Sequence, residues 1–156
     1  MQAGSGKRIT KELGEIQSDP PEGMKVTLKD DSDLHTWQIV MDGPEQSVYA
    51  GGHFKLILVL PKDYPFKPPV VNFQTKIYHP NISNDGKGSM CLGMLRTDEW
   101  KPPNKIVAVL NMTRNLLIEP NPDDAVESSI AEVYKNDYKS FEKTAKEWTK
   151  KYAVGK

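Results

Sequence analysis

The sequence predicts one α+β domain: an N-terminal helix, a four-stranded antiparallel meander, a long loop and three C-terminal helices. Two observations carry this. Period-two hydrophobic runs recur three times in succession between residues 24 and 60, and a short apolar run follows at 69–73, all divided by turn-rich segments. Helical periods lie only outside that block, once before it and three times after. Consecutive strands joined by short turns favour antiparallel pairing, and helices segregated from strands favour α+β over α/β. The length fits: 156 residues match one domain at the usual size of about 150 residues per domain.

The elements follow in order. Residues 1–6 are expected to form a flexible tail, 7–152 the domain, and 153–156 a short C-terminal tail. In 7–17, Ile9, Leu13 and Ile16 share one helical face, and Pro20-Pro21 stops the helix. Met24, Val26 and Leu28 alternate in the first strand (24–29). Trp37, Ile39 and Met41 do so in the second (36–41), before an Asp42-Gly43-Pro44 turn. The third run (53–60) alternates Phe54, Leu56, Leu58 and Leu60. Ile57 and Val59 make its other face apolar too, which predicts a central strand. Residues 69–73 form a short fourth strand. From 74 to 103 periodicity disappears, and a loop of some 30 residues is usually functional. Ile106, Val109, Leu110, Thr113, Leu116 and Leu117 then restore helical spacing until Pro120-Asn121-Pro122-Asp123. Val126, Ile130, Val133 and Tyr134 carry the next helix. Tyr138, Phe141, Ala145, Trp148 and Tyr152 carry the last.

Composition removes several functions. Lys+Arg and Asp+Glu both number 21, so the net charge is zero, against the strongly basic balance of a nucleic-acid-binding domain. No apolar run nears the roughly 18 residues of a membrane span, and the first ten residues lack a signal peptide's apolar stretch. Neither nucleic acid nor membrane is therefore an expected partner. Cys91 is the single cysteine, which rules out an internal disulfide and argues against any thiolate metal site. A reducing cytoplasmic or nuclear setting is the expectation.

Cys91 is also the residue best suited to nucleophilic catalysis. A lone thiol is more often buried and inert, but this one lies in the Gly- and Pro-punctuated loop. A cysteine hydrolase needs a histidine base. His35 and His53 flank strands. His79 shares the loop with Cys91, either as a base or as a structural donor that fixes the loop backbone. Residues 84–88 (NDGKG) lack both the ending of a phosphate loop and the alternating ligands of a calcium loop, which leaves a solvated turn. In Tyr64-Pro65-Phe66-Lys67-Pro68-Pro69, prolines fix an extended path. Phe66 there either caps the core or stands outward as a docking residue.

His79-Pro80-Asn81, Cys91-Leu92 and Trp100, with the 64–69 run, residues 76–82 (KIYHPNI) and residues 119–124 (EPNPDD), resemble the ubiquitin-conjugating enzymes over residues 7–152. The family's fold agrees with the element order above. The resemblance implies a thiol relay. Cys91 would take ubiquitin from the thioester of the activating enzyme and hold its C-terminal glycine as a thioester. It would then pass ubiquitin to a substrate lysine, or to a ligase cysteine, with a RING- or HECT-type ligase as partner. ATP is consumed by the activating enzyme, so no cofactor is implied for this chain. Thioester exchange is close to isoenergetic and needs placement more than driving force.

By the same resemblance Asn81 would donate its amide to the tetrahedral oxyanion, or staple the loop, or both. His79 and Pro80 would build the active-site loop. Asp124 would orient or desolvate the incoming lysine, with an N-cap on the following helix as the alternative, a role that Asp123 fits better by order. Arg8, Lys11, Phe66, Lys67, Lys101, Pro102 and Pro103 would face the ligase, and the basic residues of the first helix also the activating enzyme. A solvated helix face is the alternative for Arg8 and Lys11. The chain departs from the family pattern in several places. Asn81 and Cys91 are ten residues apart, two more than usual. Gly93 stands where many members carry an acid, and Lys101-Pro102-Pro103 replaces the commoner Ser-Pro-Ala. Lys25 stands where some members have a serine used in backside ubiquitin contact. Asn111 replaces a leucine that packs donor ubiquitin in some. Two other readings remain: the same relay for another modifier such as SUMO, and a catalytically silent scaffold, which usually lacks the cysteine.

Overall fold

The computed structural model describes residues 3–154. Helix α1 (Ala3–Ser18) buries Ile9, Leu13 and Ile16, the face read from the sequence. It begins at Ala3, so the tail expected over 1–6 is helical from residue 3 onward; Met1 and Gln2 lie outside the described residues. Gly4 and Gly6 hid this turn, since each costs about 1 kcal/mol relative to alanine in a helix.

Four strands follow: β1 (Met24–Leu28), β2 (Thr36–Asp42), β3 (His53–Val59) and β4 (Val70–Phe73). They form one antiparallel sheet in the order β1-β2-β3-β4. Val26 pairs with Ile39, Ile39 with Leu56 and Leu56 with Phe73, so one apolar row crosses the whole sheet. A one-residue slip would turn that row to solvent, which fixes the register. β3 is an inner strand as expected, but its second face is not buried: Val59 at its end is 40% exposed, and Val70, its partner on β4, 57%.

Helix α2 (Ile106–Ile118) buries Ile106, Val109, Leu110, Thr113, Leu116 and Leu117, the face its spacing predicts. Helix α3 (Ser128–Asn136) buries Ile130 and Ala131, while Val126 ahead of it is exposed. Helix α4 (Tyr138–Tyr152) starts at an Asp137 side chain that accepts from the Ser140 N–H (3.3 Å). Its buried positions are Phe141, Ala145 and Thr149. Thr149 rather than Trp148 is the third core position, because its hydroxyl donates to the Ala145 carbonyl (2.8 Å) and so enters the core satisfied. Trp148 instead lies against Tyr78, its ring centroid 5.2 Å away, with the Lys76 ammonium over its face. The C-terminal tail expected from 153 is not free at its start. Ala153 is buried, and its carbonyl accepts from the His53 N–H (2.7 Å), which ties the end of α4 to the start of β3.

Candidate active site

The loop between β4 and α2 lacks periodicity because buried polar side chains and one short hairpin, not a long helix or strand, hold it. His79 is fully buried, stacked on Tyr49 at 5.7 Å between centroids. Its Nε2–H donates to the Leu116 carbonyl in the last turn of α2 (2.8 Å), and its Nδ1 accepts from the Asn81 N–H (2.9 Å). Both ring nitrogens are thus in use, and burial holds the pKa down at about 4. The imidazole stays neutral and fixes the backbone. It is not a base for Cys91, and His35 and His53 bond to the Leu60 carbonyl and to Asp42. The hydrolase reading fails for want of a histidine on the thiol. Pro80, which has no N–H to satisfy, presents its carbonyl to the N–H groups of Val126 and Glu127 (2.9 Å each).

Asn81 is fully buried. Its Nδ2 donates to the carbonyls of Asn121 (2.8 Å) and Asp124 (3.0 Å), and its Oδ1 accepts from the Asn121 N–H (2.8 Å). A primary amide has two hydrogens to donate, and both are spent. Asn81 therefore staples the loop to the segment of Asp124, the second of the two roles read from the sequence, and the oxyanion role would require one of these hydrogens to be released.

Across from it, the Cys91 N–H donates to the Asn81 carbonyl (2.9 Å), Ile82 bridges Met90, and the Ser83 N–H donates to Ser89 (2.8 Å). Residues 81–91 are therefore a small hairpin with 84–88 at its tip. The bond between the Cys91 N–H and the Asn81 carbonyl sets the two residues opposite each other across that hairpin, ten residues apart in sequence. The tip is self-bonded through Asp85, whose Oδ1 accepts from the Ser83 hydroxyl and the Lys87 N–H (2.9 Å each). Gly88 turns with φ +65°, and a Cβ there would lie 1.8 Å from the Phe73 carbonyl oxygen, so only glycine fits.

Cys91 is half-buried, and its Sγ donates to Asp124 Oδ2 (3.3 Å). Burial first, then the hydrogen bond and charge of Asp124, push the thiol above its ordinary pKa; Arg96 partly opposes them. The thiol therefore rests protonated. Asp124 sits in the 3-10 turn Pro122–Asp124, and neither it nor Asp123 caps α3. The cap position is Glu127, whose carboxylate accepts from the Asn84 N–H (2.9 Å), while Asp123 makes an exposed ion pair with Lys135 (3.5 Å). The N-cap alternative is corrected accordingly.

The fold and the His79-to-Cys91 hairpin coincide with a finding from the sequence: the family model described as ubiquitin-conjugating enzyme matches residues 8–149 of the 156. The chain belongs to the ubiquitin-conjugating enzyme family.

In this ubiquitin-conjugating enzyme the remaining candidates group at a second surface. Phe66 is 75% exposed, which removes the core-cap reading. The chain just before it is fixed twice: Tyr64 is buried, and the Trp100 indole donates to the Pro65 carbonyl (2.7 Å). That bond joins the Phe66 turn to the loop of Lys101, Pro102 and Pro103. Lys11, Lys67, Lys101 and Pro103 are exposed, with Lys67 in an exposed pair with Asp63 (3.5 Å). Arg8 is different. Its Nε pairs with Glu12 (2.9 Å), and Nη1 and Nη2 donate to the carbonyls of Pro102 and Asn104. Arg8 is not simply solvated but acts as a strut, because its planar fork reaches three acceptors at once. Glu12 was missed in the sequence, although its spacing of four from Arg8 was a legible signal. Lys25 and Asn111 are exposed on β1 and α2, and Gly93 opens the 3-10 turn after Cys91.

Proposed function

We propose that this enzyme carries ubiquitin as a thioester on Cys91 and delivers it to lysine with a ligase held on the Phe66 surface. One observation carries the chemistry: the polar partner of the Cys91 thiol is a carboxylate, and no histidine reaches it. A thiol with no histidine base beside it can still exchange with an acyl group that is already activated, but it suits poorly the attack on an unactivated amide. In loading, the Cys91 S–C bond forms and the S–C bond to the activating enzyme's cysteine breaks. The Cys91 proton ends on the departing thiol. The thioester sulfur then has no hydrogen to give, so the Asp124 carboxylate is released to accept a hydrogen bond from the incoming lysine amine. As the N–C bond forms and the Cys91 S–C bond breaks, the proton lost by nitrogen returns the sulfur to its thiol. A reducing cytoplasmic or nuclear setting belongs to this proposal, since oxidation of Cys91 would stop the relay.

The modifier is tested by charging with ATP and the activating enzyme of either ubiquitin or SUMO, read on non-reducing gels. Ubiquitin is expected to load. Loading of SUMO with none of ubiquitin would replace the modifier and leave the thioester chemistry in place.

Exposure of Phe66 on a fixed turn supports docking there, because a rigid aromatic loses little entropy on binding. Phe66→Ala is expected to melt close to wild type and to lose about 2 kcal/mol of ligase affinity, roughly 30-fold. The paired measurements are a thermal melt and ligase-dependent transfer. A strongly lowered Tm, or transfer at the wild-type rate, would count against docking at Phe66.

A further inference from the structure

Among the described residues, Glu12 is the one buried acidic side chain, 5% exposed, and the relay chemistry does not use it. Two of the polar contacts of its carboxylate lead towards the Phe66 surface, and the third caps α2. Oε2 accepts from Arg8 Nε (2.9 Å) and from the Tyr64 hydroxyl (2.6 Å). Oε1 accepts from the N–H of Ile106 (2.8 Å), the first residue of α2. That helix has no side-chain cap of its own at Lys105, so α1 supplies the acceptor that its open N-terminus needs.

The bonds continue outward. Tyr64 precedes Pro65 and Phe66. Arg8, oriented by Glu12 and lying 5.3 Å from the centroid of the Tyr64 ring, donates to the carbonyls of Pro102 and Asn104. One carboxylate thereby fixes α1, the turn that bears Phe66 and the loop that bears Lys101, Pro102 and Pro103, segments 52 and 94 residues away in sequence. A buried carboxylate carries a desolvation cost, and apolar packing of equal volume often serves stability as well or better. What apolar packing lacks is direction: it would not hold Phe66 and the 101–103 loop at one fixed separation.

We propose that Glu12 is a positioning residue for partner docking, which sets Phe66 and the Lys101, Pro102 and Pro103 loop in register so that one ligase meets both together. The proposal rests on the reading of this face as the ligase surface.

Glu12→Gln keeps the volume, an acceptor for Ile106 and a partner for the Tyr64 hydroxyl. Its amide hydrogens, however, confront the Arg8 N–H, and the strut is released. The experiment is single-turnover discharge of the preloaded thioester to lysine at increasing ligase concentration, with a thermal melt of each variant. For Glu12→Gln the ligase concentration at half-maximal rate is expected to rise about tenfold, the cost of one charged hydrogen bond. The saturating rate should stay within about twofold of wild type, since a positioning defect is overcome by more ligase. Arg8→Gln should match it, and the double variant should be no worse than either single one, because both act through the same bond. Tyr64→Phe, which removes one hydroxyl and no charge, should give a smaller rise of about threefold. Two results would overturn the proposal: an unchanged half-maximal concentration in Glu12→Gln and Tyr64→Phe, or a saturating rate that falls in step with Tm, the mark of a structural role alone. Phe66→Ala run alongside separates the two levels. If it raises the half-maximal concentration while Glu12→Gln does not, Glu12 is not the positioning residue. If Phe66→Ala leaves it unchanged, the docking surface itself is misassigned and the proposal falls with it.

Discussion

Asn81→Ala is expected to lower discharge of the loaded thioester to lysine about 100-fold, the cost of misplacing a reacting group by roughly 1 Å. The substitution deletes three hydrogen bonds to residues 121 and 124. One of them anchors the backbone carbonyl of Asp124, whose carboxylate lies against the Cys91 sulfur. The groups left without partners cost about 1–3 kcal/mol each where water does not reach them. At about 2–4 °C per kcal/mol for a domain of this size, Tm should fall by several degrees. The choice of acceptor separates the staple from a free oxyanion donor. A small thiol acceptor needs no carboxylate to receive an amine hydrogen, so discharge to it should fall far less than discharge to lysine. An oxyanion donor would serve both acceptors, which pass through the same tetrahedral centre. A melt at the wild-type temperature, with losses of about 100- to 1000-fold for both acceptors, would restore the oxyanion role.

Much of the fold was legible because burial repeats along the chain. The alternation of Val26, Ile39, Leu56 and Phe73 on their strands is the row that crosses the sheet. The spacing from Ile106 to Leu117 is the buried face of α2. Reading failed where a polar group enters the core with its own partner, as Thr149 does, and where glycines mask a helical turn, as in residues 3–6. Burial of Ala153 depends on its carbonyl reaching His53, a hundred residues earlier, and nothing local announces it.

The candidate site was legible in its members and not in their use. The resemblance named Asn81, Cys91 and Asp124 together. An amide looks the same in sequence whether its hydrogens are free or spent, and only the distances to Asn121 and Asp124 decide it. Arg8 is the same case. Four residues separate it from Glu12, which the sequence shows, while Tyr64, Pro102 and Asn104 complete its surroundings from far along the chain. Phe66 was undecided between core and surface until its exposure was known.

Cys91→Ser should have the largest effect of all. Serine can replace the sulfur as acceptor of the activated acyl group, but an oxygen ester is far less reactive than a thioester. Transfer to lysine should fall to background while an adduct still accumulates. A thiol reductant exchanges with a thioester and not with an oxygen ester, so the two bonds are told apart by one treatment. The direct measurement is intact mass spectrometry of wild type, Cys91→Ser and Cys91→Ala after charging with ubiquitin, activating enzyme and ATP, with and without dithiothreitol. If Cys91 holds the modifier, wild type gains one ubiquitin that dithiothreitol removes, Cys91→Ser gains one that survives, and Cys91→Ala gains none. A reductant-resistant adduct on wild type, or any adduct on Cys91→Ala under these conditions, would place the acyl group elsewhere and contradict the account.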